Sequence, residues 1–336
     1  MKKALYIGIC SEGSTSKMRG ENLRALLAGW RFEIIDTDIP FVKQPYLFRS
    51  VGFRYKIGPV VSAVNEYILE KLSGNYDLVW IDKGIFLTKA TTSIIKSRTA
   101  KLVHYTPDTA FYGNKSPLFY RSINLYDYLI TTKSFELIKY QSLVPVDKLI
   151  SITQGFDCDV HKPLVNFDSK INRVAFVGLG ERSREKTLQY LIDNNIHVLL
   201  AGYKWERFIK KNKRNPCLYF KGNVVWNEHY SLLISSSYFS LGMLSKRFPE
   251  LHTTRTFEIP ACGTALLTEK NEETASFFSE EQAIFYSDPE SLVKKIRYYQ
   301  GNLEALRVLT NNGLKKVNAS GFDYKCILKK ILERIL

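Results

Sequence analysis

The stretch Val177-Gly178-Leu179-Gly180-Glu181-Arg182-Ser183-Arg184-Glu185-Lys186 lies near the middle of the 336-residue chain and decides its fold. An apolar run at residues 173–177 precedes it, and a helical pattern at residues 183–194 follows it. A strand, a glycine turn and a helix in this order are typical of the first unit of a doubly wound α/β domain.

The same alternation extends in both directions from this stretch. Short apolar runs predict further strands at residues 4–9, 32–36, 77–82, 102–105, 128–131, 149–152, 197–201, 218–220, 239–243, 265–267 and 283–285. Apolar residues at intervals of three or four predict helices between them, at residues 14–28, 60–72, 91–97, 134–142, 227–235, 254–261, 274–277, 291–300 and 303–317. Strands separated by helices pair in parallel through right-handed crossovers.

The pattern is interrupted once, by a polar segment with Pro163 at residues 159–172. We therefore expect an α/β protein with two Rossmann-like domains, residues 1–165 and 171–318, that face each other across a cleft. Residues 319–336 form a basic amphipathic helix, which we expect to pack back on the N-terminal domain. Ligands of open parallel sheets bind outside the carboxyl ends of the strands, so the cleft is the expected site.

Composition limits the classes of function. Five cysteines, an odd number without CxxC spacing, argue against a disulfide framework or a cysteine-rich metal site. No run of 18 apolar residues is present, and the first apolar run is too short for a signal peptide, so we expect a cytoplasmic protein. The net charge of +15 suits nucleic acid, an anionic membrane surface or acidic small molecules.

Two glycine turns are candidate phosphate sites. Gly13 lies in a turn of small residues at 10–16, where backbone amides at a helix start could bind an anion. The alternative is a tight turn capped by Ser14 or Ser16. In the second turn, Arg184 and Lys186 begin a helix, where cations are unfavourable unless a bound diphosphate pairs with them.

A third candidate precedes the predicted strand at 265–267. Glu250 and Glu258 lie eight positions apart, with Thr254 and Arg255 between them. A carboxylate can accept hydrogen bonds from both hydroxyls of a ribose, and an arginine suits a phosphate. The pattern therefore predicts a nucleotide site in the second domain.

The stretch Arg255-Thr-Phe-Glu-Ile-Pro-Ala-Cys-Gly-Thr-Ala-Leu-Leu-Thr-Glu269 resembles the C-terminal signature of GT-B glycosyltransferases, most closely the CgeB-like group of the group 1 glycosyl transferases. Residues 176–180 with Arg184, residues 105–108 and 201–205, and residues 154–157 followed by 161–163 resemble further motifs of that family. Where the family commonly has a glycine-rich run after the first glutamate, this chain has Leu251-His252-Thr253.

The resemblance implies a fold, an activity and roles. The C-terminal domain would bind a nucleoside-diphosphate sugar, with UDP favoured, and the N-terminal domain a glycan or lipid-linked acceptor in cell-surface polysaccharide or glycoconjugate synthesis. No metal and no separate cofactor are expected. Glu258 would hold the ribose, Glu250 would lie near the sugar, and Asp108 is the candidate general base. The expected donor-binding residues are Gly13, Gly178, Arg184, Lys186, Gly202, Thr254, Arg255 and Glu258.

Residues 41–55 combine aromatic and basic side chains, and we interpret them as an acceptor loop. This composition suits an anionic membrane interface at the inner face of the membrane, a lipid phosphate or stacked bases, and also a plain solvated loop. Two other functions remain open. One is a nucleotide-sugar epimerase, and the other is a non-catalytic basic protein that binds nucleic acid or membrane. A carboxylate beside the cations makes nucleic acid the less favoured partner.

Overall fold

The computed structural model describes residues 1–113, 115–225 and 227–336. The chain divides into two compact units: unit 1 is Met1–Thr153 with Lys325–Leu336, and unit 2 is Gln154–Tyr324. The chain enters unit 2 at Gln154, earlier than the polar segment at 159–172 suggests. The reason is a local hydrogen-bonded pairing, in which Phe156 N–H donates to Phe322 O and Tyr324 N–H donates to Phe156 O, at 3.2 and 2.9 Å.

The described residues of unit 1 form a six-stranded parallel sheet with strand order β2-β1-β3-β4-β5-β6. Its strands are β1 (Lys3–Gly8), β2 (Arg31–Asp36), β3 (Tyr76–Asp82), β4 (Thr99–Thr106), β5 (Tyr128–Thr131) and β6 (Leu149–Ser151). Its helices are α1 (Thr15–Leu26), α2 (Asp38–Val42), α3 (Tyr46–Tyr55), α4 (Pro59–Lys71), α5 (Lys89–Ser97), α6 (Pro117–Ser122) and α7 (Leu137–Gln141). The strand order reverses between β1 and β3, so their carboxyl ends mark the expected binding crevice of this unit.

Unit 2 repeats the architecture, with a described six-stranded parallel sheet of order β12-β11-β10-β7-β8-β9. Its strands are β7 (Ile171–Val177), β8 (Val198–Ala201), β9 (Leu218–Phe220), β10 (Ser237–Leu241), β11 (Ala265–Glu269) and β12 (Ile284–Tyr286). Its helices are α8 (Arg182–Asp193), α9 (Glu206–Lys211), α10 (Asn227–Ser235), α11 (Arg255–Ala261), α12 (Glu272–Phe277), α13 (Pro289–Gln300) and α14 (Leu303–Ala319). Here the order reverses between β7 and β10.

The last helix, α15 (Tyr324–Ile335), crosses from unit 2 to unit 1. It buries one apolar face in the core of unit 1, beside Tyr6 and Trp80. The buried residues of this face are Ile327, Leu328, Ile331, Leu332 and Ile335. Their spacing of three or four is that of a single helical stripe, so burial of apolar area holds the C-terminus on unit 1.

Two structural findings bear on the membrane. Within the described ranges, no helix is long and apolar enough to cross a bilayer. Residues 41–55, interpreted above as a loop, form the end of α2 and all of α3. The interpretation was wrong because the apolar residues of α3 do not mark a core-facing stripe; most of them are exposed.

Candidate active site

The glycine turns of unit 2 allow β7 and β8 to end in close contact. Gly178 N–H donates to Ala201 O at 3.0 Å, and Trp205 Nε1–H donates to Gly178 O at 2.8 Å. Gly202 has a φ of +131°, and a Cβ on it would lie 2.0 Å from Gly178 O. Glycine is therefore required at position 202 by backbone packing. Donor contacts by Gly178 and Gly202 remain predictions.

Arg184 of α8 and Arg255 of α11 converge at the carboxyl ends of β7 and β10. Arg184 donates from Nη1 to Leu179 O at 2.9 Å and from Nη2 to Met243 O at 3.2 Å. Arg255 Nη2 lies 3.5 Å from the same Met243 oxygen. The Nε atoms of both arginines are buried, and neither has a hydrogen-bond partner among the described residues. The pair therefore keeps donors available beside a shared acceptor.

The electrostatics of this pair favour an anion. Burial, and next the like charge of Arg255, lower the pKa of Arg184 to about 10, against the opposing effects of Glu181 and Glu250. Glu181 Oε1 lies 3.7 Å from Arg184 Nη1. Two like charges that repel each other therefore share one partly buried region. A bound diphosphate would relieve the repulsion and pair with the free donors.

Glu250 lies in the segment that follows β10, near Arg184. Its Oε2 accepts a hydrogen bond from Ser245 N–H at 3.0 Å, and its charge acts on the Arg184 guanidinium. The structure thus brings Glu250 to the same end of the sheet as the arginine pair. A contact with the sugar remains a prediction.

Glu258 of α11 is buried beside Tyr230 and His161. Tyr230 of α10 donates its hydroxyl to Glu258 Oε2 at 2.9 Å, and His161 Nε2 lies 3.8 Å from Oε1. Burial, and then the charge of Glu258, raise the pKa of Tyr230 well above its usual range, so the hydroxyl stays a donor. Oε2 is therefore held by Tyr230, which orients the carboxylate. His161 belongs to a stretch that resembles a family motif, whereas Tyr230 lies in a segment far from α11 and only the fold could identify it.

Thr254 and Lys186 do not join the arginine pair: Thr254 starts α11 through its backbone, and the Lys186 side chain lies on the surface. The carbonyl of Thr254 accepts the N–H groups of Phe257 and Glu258 at 2.9 Å each, which starts α11. Lys186 is exposed and lies along a groove with Arg182 and Arg207. Two residues along a helix turn a side chain by roughly 200°, so Lys186 points away while Arg184 points inward. The structure does not gather Lys186 with the other two predicted cations.

His252, in the segment before α11, has both ring nitrogens engaged. Nε2 accepts a hydrogen bond from Gln154 N–H at 2.9 Å, and Nδ1 donates to the carboxylate of Glu273. Its described contacts anchor the segment before α11 within unit 2.

In unit 1, Gly13 lies in the turn between β1 and α1. Its φ of +74° is left-handed, and the side chain of Ser14 caps α1 by accepting Lys17 N–H at 3.1 Å. The Ser14 hydroxyl also donates to Ile9 O at 3.0 Å. These contacts build the tight capped turn that was the alternative interpretation. Donor binding by Gly13 remains a prediction.

Asp108 follows β4 and forms an ion pair with Lys83, whose Nζ lies 2.8 Å from Oδ2. Desolvation raises the pKa of Asp108, but the charges of Lys83, Lys133 and Arg19 together bring it below its ordinary value, with Lys83 contributing most of the lowering. The Asp108 side chain is 40% exposed, so its carboxylate is accessible. Lys83 directly follows β3 and has a φ of +65°, an uncommon conformation for a lysine.

The loop that carries Asp108 is held by groups beneath it. The buried carboxylate of Glu136 accepts hydrogen bonds from the N–H groups of Ala110 and Phe111 at 2.9 and 2.8 Å. Thr132 Oγ1 donates to Pro107 O at 3.0 Å. No pattern in the sequence pointed to Glu136, because its partners are backbone amides of a distant loop.

Two neighbouring cavities open at this end of the unit 1 sheet. One, of about 100 Å³, is lined by polar residues that include His104, Asp108 and Ser116. The other, of about 90 Å³, lies by the ends of β1 and β3 and is mostly apolar. Phe53 and Lys83 line both cavities. The arrangement offers an ionised carboxylate beside a partly apolar pocket.

A buried ion pair supports this end of the sheet. Arg19 of α1 donates from Nε and Nη2 to the two carboxylate oxygens of Asp82, at 2.7 and 3.0 Å. Both side chains are fully buried, and the guanidinium lies 4.9 Å from the ring centroid of Tyr105. The pair ties α1 to the end of β3, next to Lys83. In the part of the chain that the structure describes, no group of three or more His, Cys, Asp or Glu residues could hold a metal ion.

Comparison with known proteins agrees with this geometry. Residues 182–333 match the glycosyl transferase-like family model, and this region includes Arg184, Glu250, Arg255 and Glu258. No curated protein sequence matches the chain.

Several solved structures share the fold over the whole chain. A sucrose-phosphate synthase from Thermosynechococcus elongatus is 14% identical, with a TM-score of 0.69 over 99% of this chain and 98% of that one. HepE from Anabaena, in complex with UDP-glucose, is 16% identical, with a TM-score of 0.67 over 99% of both chains. A glycosyltransferase from Rickettsia africae is 15% identical, with a TM-score of 0.65 over 99% and 97%.

The two parallel six-stranded sheets with flanking helices are those of the GT-B fold, which confirms the fold class expected from the sequence. Residues 182–333 match a glycosyl transferase-like domain, and the chain has the GT-B fold.

Proposed function

We propose that the chain transfers a sugar from a uridine-diphosphate sugar to a glycan or lipid-linked acceptor in cell-surface polysaccharide or glycoconjugate synthesis. The observation that carries the proposal is the convergence of Arg184 and Arg255, whose buried Nε atoms have no partner among the described residues. HepE has been solved with UDP and with UDP-glucose, which supports the choice of nucleotide. Membership of the CgeB-like group stays a prediction.

The donor would bind to unit 2 in two parts. Glu258, oriented by Tyr230, would accept hydrogen bonds from the ribose hydroxyls. Arg184 and Arg255 would bind the diphosphate and stabilise the charge that develops on it as the bond from the anomeric carbon breaks. Two guanidinium groups supply the positive charge that a divalent cation supplies elsewhere, so we propose that transfer needs no metal and no further cofactor.

The acceptor would bind to unit 1. As the acceptor oxygen bonds to the anomeric carbon, Asp108 would take the hydroxyl proton and UDP would leave with the electrons of the broken bond. Its ionised state, maintained by Lys83, keeps it ready to accept a proton. We further propose a cytoplasmic location with association at an anionic membrane surface.

The test is a thermal-shift panel of UDP, GDP, dTDP, CMP and ADP on the wild-type chain and on Glu258→Ala. A ligand that binds only the folded state raises the melting temperature with its occupancy. We expect a shift with UDP that is much smaller in the variant, followed by UDP release when a UDP-sugar and acceptor extract are supplied. If none of the nucleotides shifts the wild-type melting temperature, the proposed donor site is wrong.

A further inference from the structure

Helix α3 contacts the rest of unit 1 along a narrow line. Gly52 faces α4 so closely that a Cβ on it would lie 2.8 Å from Val60 Cβ. The exposed large apolar side chains of α3 are Tyr46, Leu47, Phe48, Val51, Phe53 and Tyr55. A surface helix of a soluble protein turns its apolar face to the core, and α3 turns most of it to solvent.

The exposed apolar residues are ordered along one stripe. Leu47, Val51 and Tyr55 are spaced by four residues, so they lie one above another on the helix surface. Their exposed fractions are 66%, 37% and 55%, and Phe48 beside them is 43% exposed. Contiguous apolar surface of this kind marks an interaction site. We refer to Leu47, Phe48, Val51 and Tyr55 as the α3 stripe.

The charged residues around the α3 stripe indicate which kind of partner it binds. Residues 39–65 contain Lys43, Arg49, Arg54 and Lys56 and no Asp or Glu, in a chain with a net charge of +15. Lys43 and Arg54 are exposed. A second copy would bring like charges together, and a nucleic acid would leave Leu47 and Val51 without apolar partners. An anionic bilayer matches both features, because its head groups pair with the cations while its acyl boundary receives the apolar side chains.

The helix is also continuous with the cavities of unit 1. Phe53 of α3 lines both the cavity that contains Asp108 and the apolar cavity beside it. Phe53 is two residues from Val51, so a membrane surface at the α3 stripe would lie across the width of this one helix, about 10 Å, from the cavities. An acceptor with an apolar anchor could remain in the bilayer while its polar end enters the pocket.

We propose that the α3 stripe and its flanking cations dock the enzyme on an anionic lipid bilayer and so select an acceptor that is itself membrane-borne. This deepens the proposed function and rests on it for the acceptor, but the docking itself can be measured without the reaction.

The test uses the full chain and sedimentation with vesicles of phosphatidylcholine alone or with phosphatidylglycerol. We expect binding to the anionic vesicles only, weakened by salt, and a loss of roughly tenfold or more in Leu47→Ser/Val51→Ser/Tyr55→Ser and in Lys43→Glu/Arg54→Glu. The matched control is Ile138→Ser/Val146→Ser, which removes two exposed apolar side chains elsewhere on unit 1. It should sediment like the wild type.

Equal binding by the α3 variants and the wild type, or no binding to anionic vesicles, would overturn the docking proposal. A dimer in solution that the α3 triple variant dissociates would also overturn it and assign the stripe to a second copy. Thermal shift with UDP runs in parallel on every variant. A retained UDP shift without vesicle binding rejects only the docking, whereas a missing UDP shift in the wild type rejects the proposed function.

Discussion

The guanidinium groups of Arg184 and Arg255 lie over the same aromatic ring, with their central carbons 5.6 and 5.7 Å from the centroid of Phe176. They reach it from α8 and α11, which follow different strands of the unit 2 sheet. The two arginines share this ring and one carbonyl oxygen, that of Met243. Two like charges in this arrangement leave the unliganded protein with repulsion that an anion would remove.

Arg255→Met should separate binding from stability. The thioether keeps much of the side-chain volume but removes one charge, so the repulsion with Arg184 disappears. We expect the unliganded melting temperature to stay the same or rise, while the Kd for UDP increases by about 10–100-fold, the equivalent of one or two charged hydrogen bonds. Calorimetric titration and a melting scan measure the two effects. Lys210→Met, an exposed cation on α9, is the control; equal Kd values for Arg255→Met and wild type would contradict the assignment.

Glu258 and the arginine pair should respond to different parts of the donor. We expect Glu258→Ala to weaken UDP binding by at least about tenfold and to leave pyrophosphate binding unchanged, because pyrophosphate has no ribose. Arg255→Met should weaken both ligands. Tyr230→Phe, which removes only the hydrogen bond to Glu258 Oε2, should have a smaller effect on UDP. The Kd values of UDP and pyrophosphate for all three variants test these roles. If Glu258→Ala lost as much affinity for pyrophosphate as for UDP, Glu258 would not be the ribose-binding residue.

The pH profile should report the ion pair between Lys83 and Asp108. Lys83 holds the pKa of Asp108 below its ordinary value, so a rate that needs the carboxylate falls only at low pH, as the pH passes down through that pKa. In Lys83→Met the pKa rises, and the acidic limb of kcat/KM should move to higher pH. Asp108→Asn should lower kcat by roughly 100-fold or more if Asp108 is the base. A Lys83→Met profile that superimposes on the wild-type profile would disprove the coupling.

Buried His104 should make the protein sensitive to acid. Its ring stacks on Phe119 with centroids 4.2 Å apart, its Nε2 hydrogen-bonds to Lys83 O at 3.0 Å, and burial lowers its pKa from 6.5 to about 4. The unfolded chain therefore takes up a proton between pH 6.5 and 4 that the folded chain does not. Stability falls as the pH falls through this window, by about 2 kcal/mol between pH 7 and 5. Urea unfolding of wild type and His104→Gln at both pH values measures it; the variant should lose less.

Gly202 and Gly222 allow the cost of a steric clash with a neighbouring backbone to be measured separately from the cost of a strained φ angle. Gly202 and Gly222 both have positive φ, +131° and +119°, but a Cβ on Gly202 would meet Gly178 O, whereas one on Gly222 would meet no atom of the described chain within 4 Å. Gly222→Ala should cost about 1–3 kcal/mol from its φ alone. Gly202→Ala should cost several kcal/mol more or prevent folding. Denaturant unfolding measures both, and similar losses would mean that strain alone explains Gly202.

Local patterns in the sequence were sufficient for much of the fold. The continuous apolar runs at β3, β5, β9 and β11, and the spacing of three or four residues between apolar side chains in α4, α8 and α14, depend only on neighbours along the chain. The turn around Gly178 and the short motif around Glu258 are likewise contiguous, so the nucleotide site was placed in the C-terminal half. The two short helices around residues 38–55 were missed, because their apolar residues do not face a core.

The sequence by itself therefore determined the alternation of strands and helices, the two Rossmann-like units and the candidate residues of the donor site. Only the tertiary structure decided which of these residues meet: Arg184 turns towards Arg255 while Lys186 turns away, Tyr230 reaches Glu258, and Lys83 pairs with Asp108. The physical reason is the distance along the chain over which the two kinds of interaction act. Secondary structure depends on the pattern of residues that are close together in the sequence. Side-chain partners depend instead on strand register and on helix packing between segments that are far apart in the sequence.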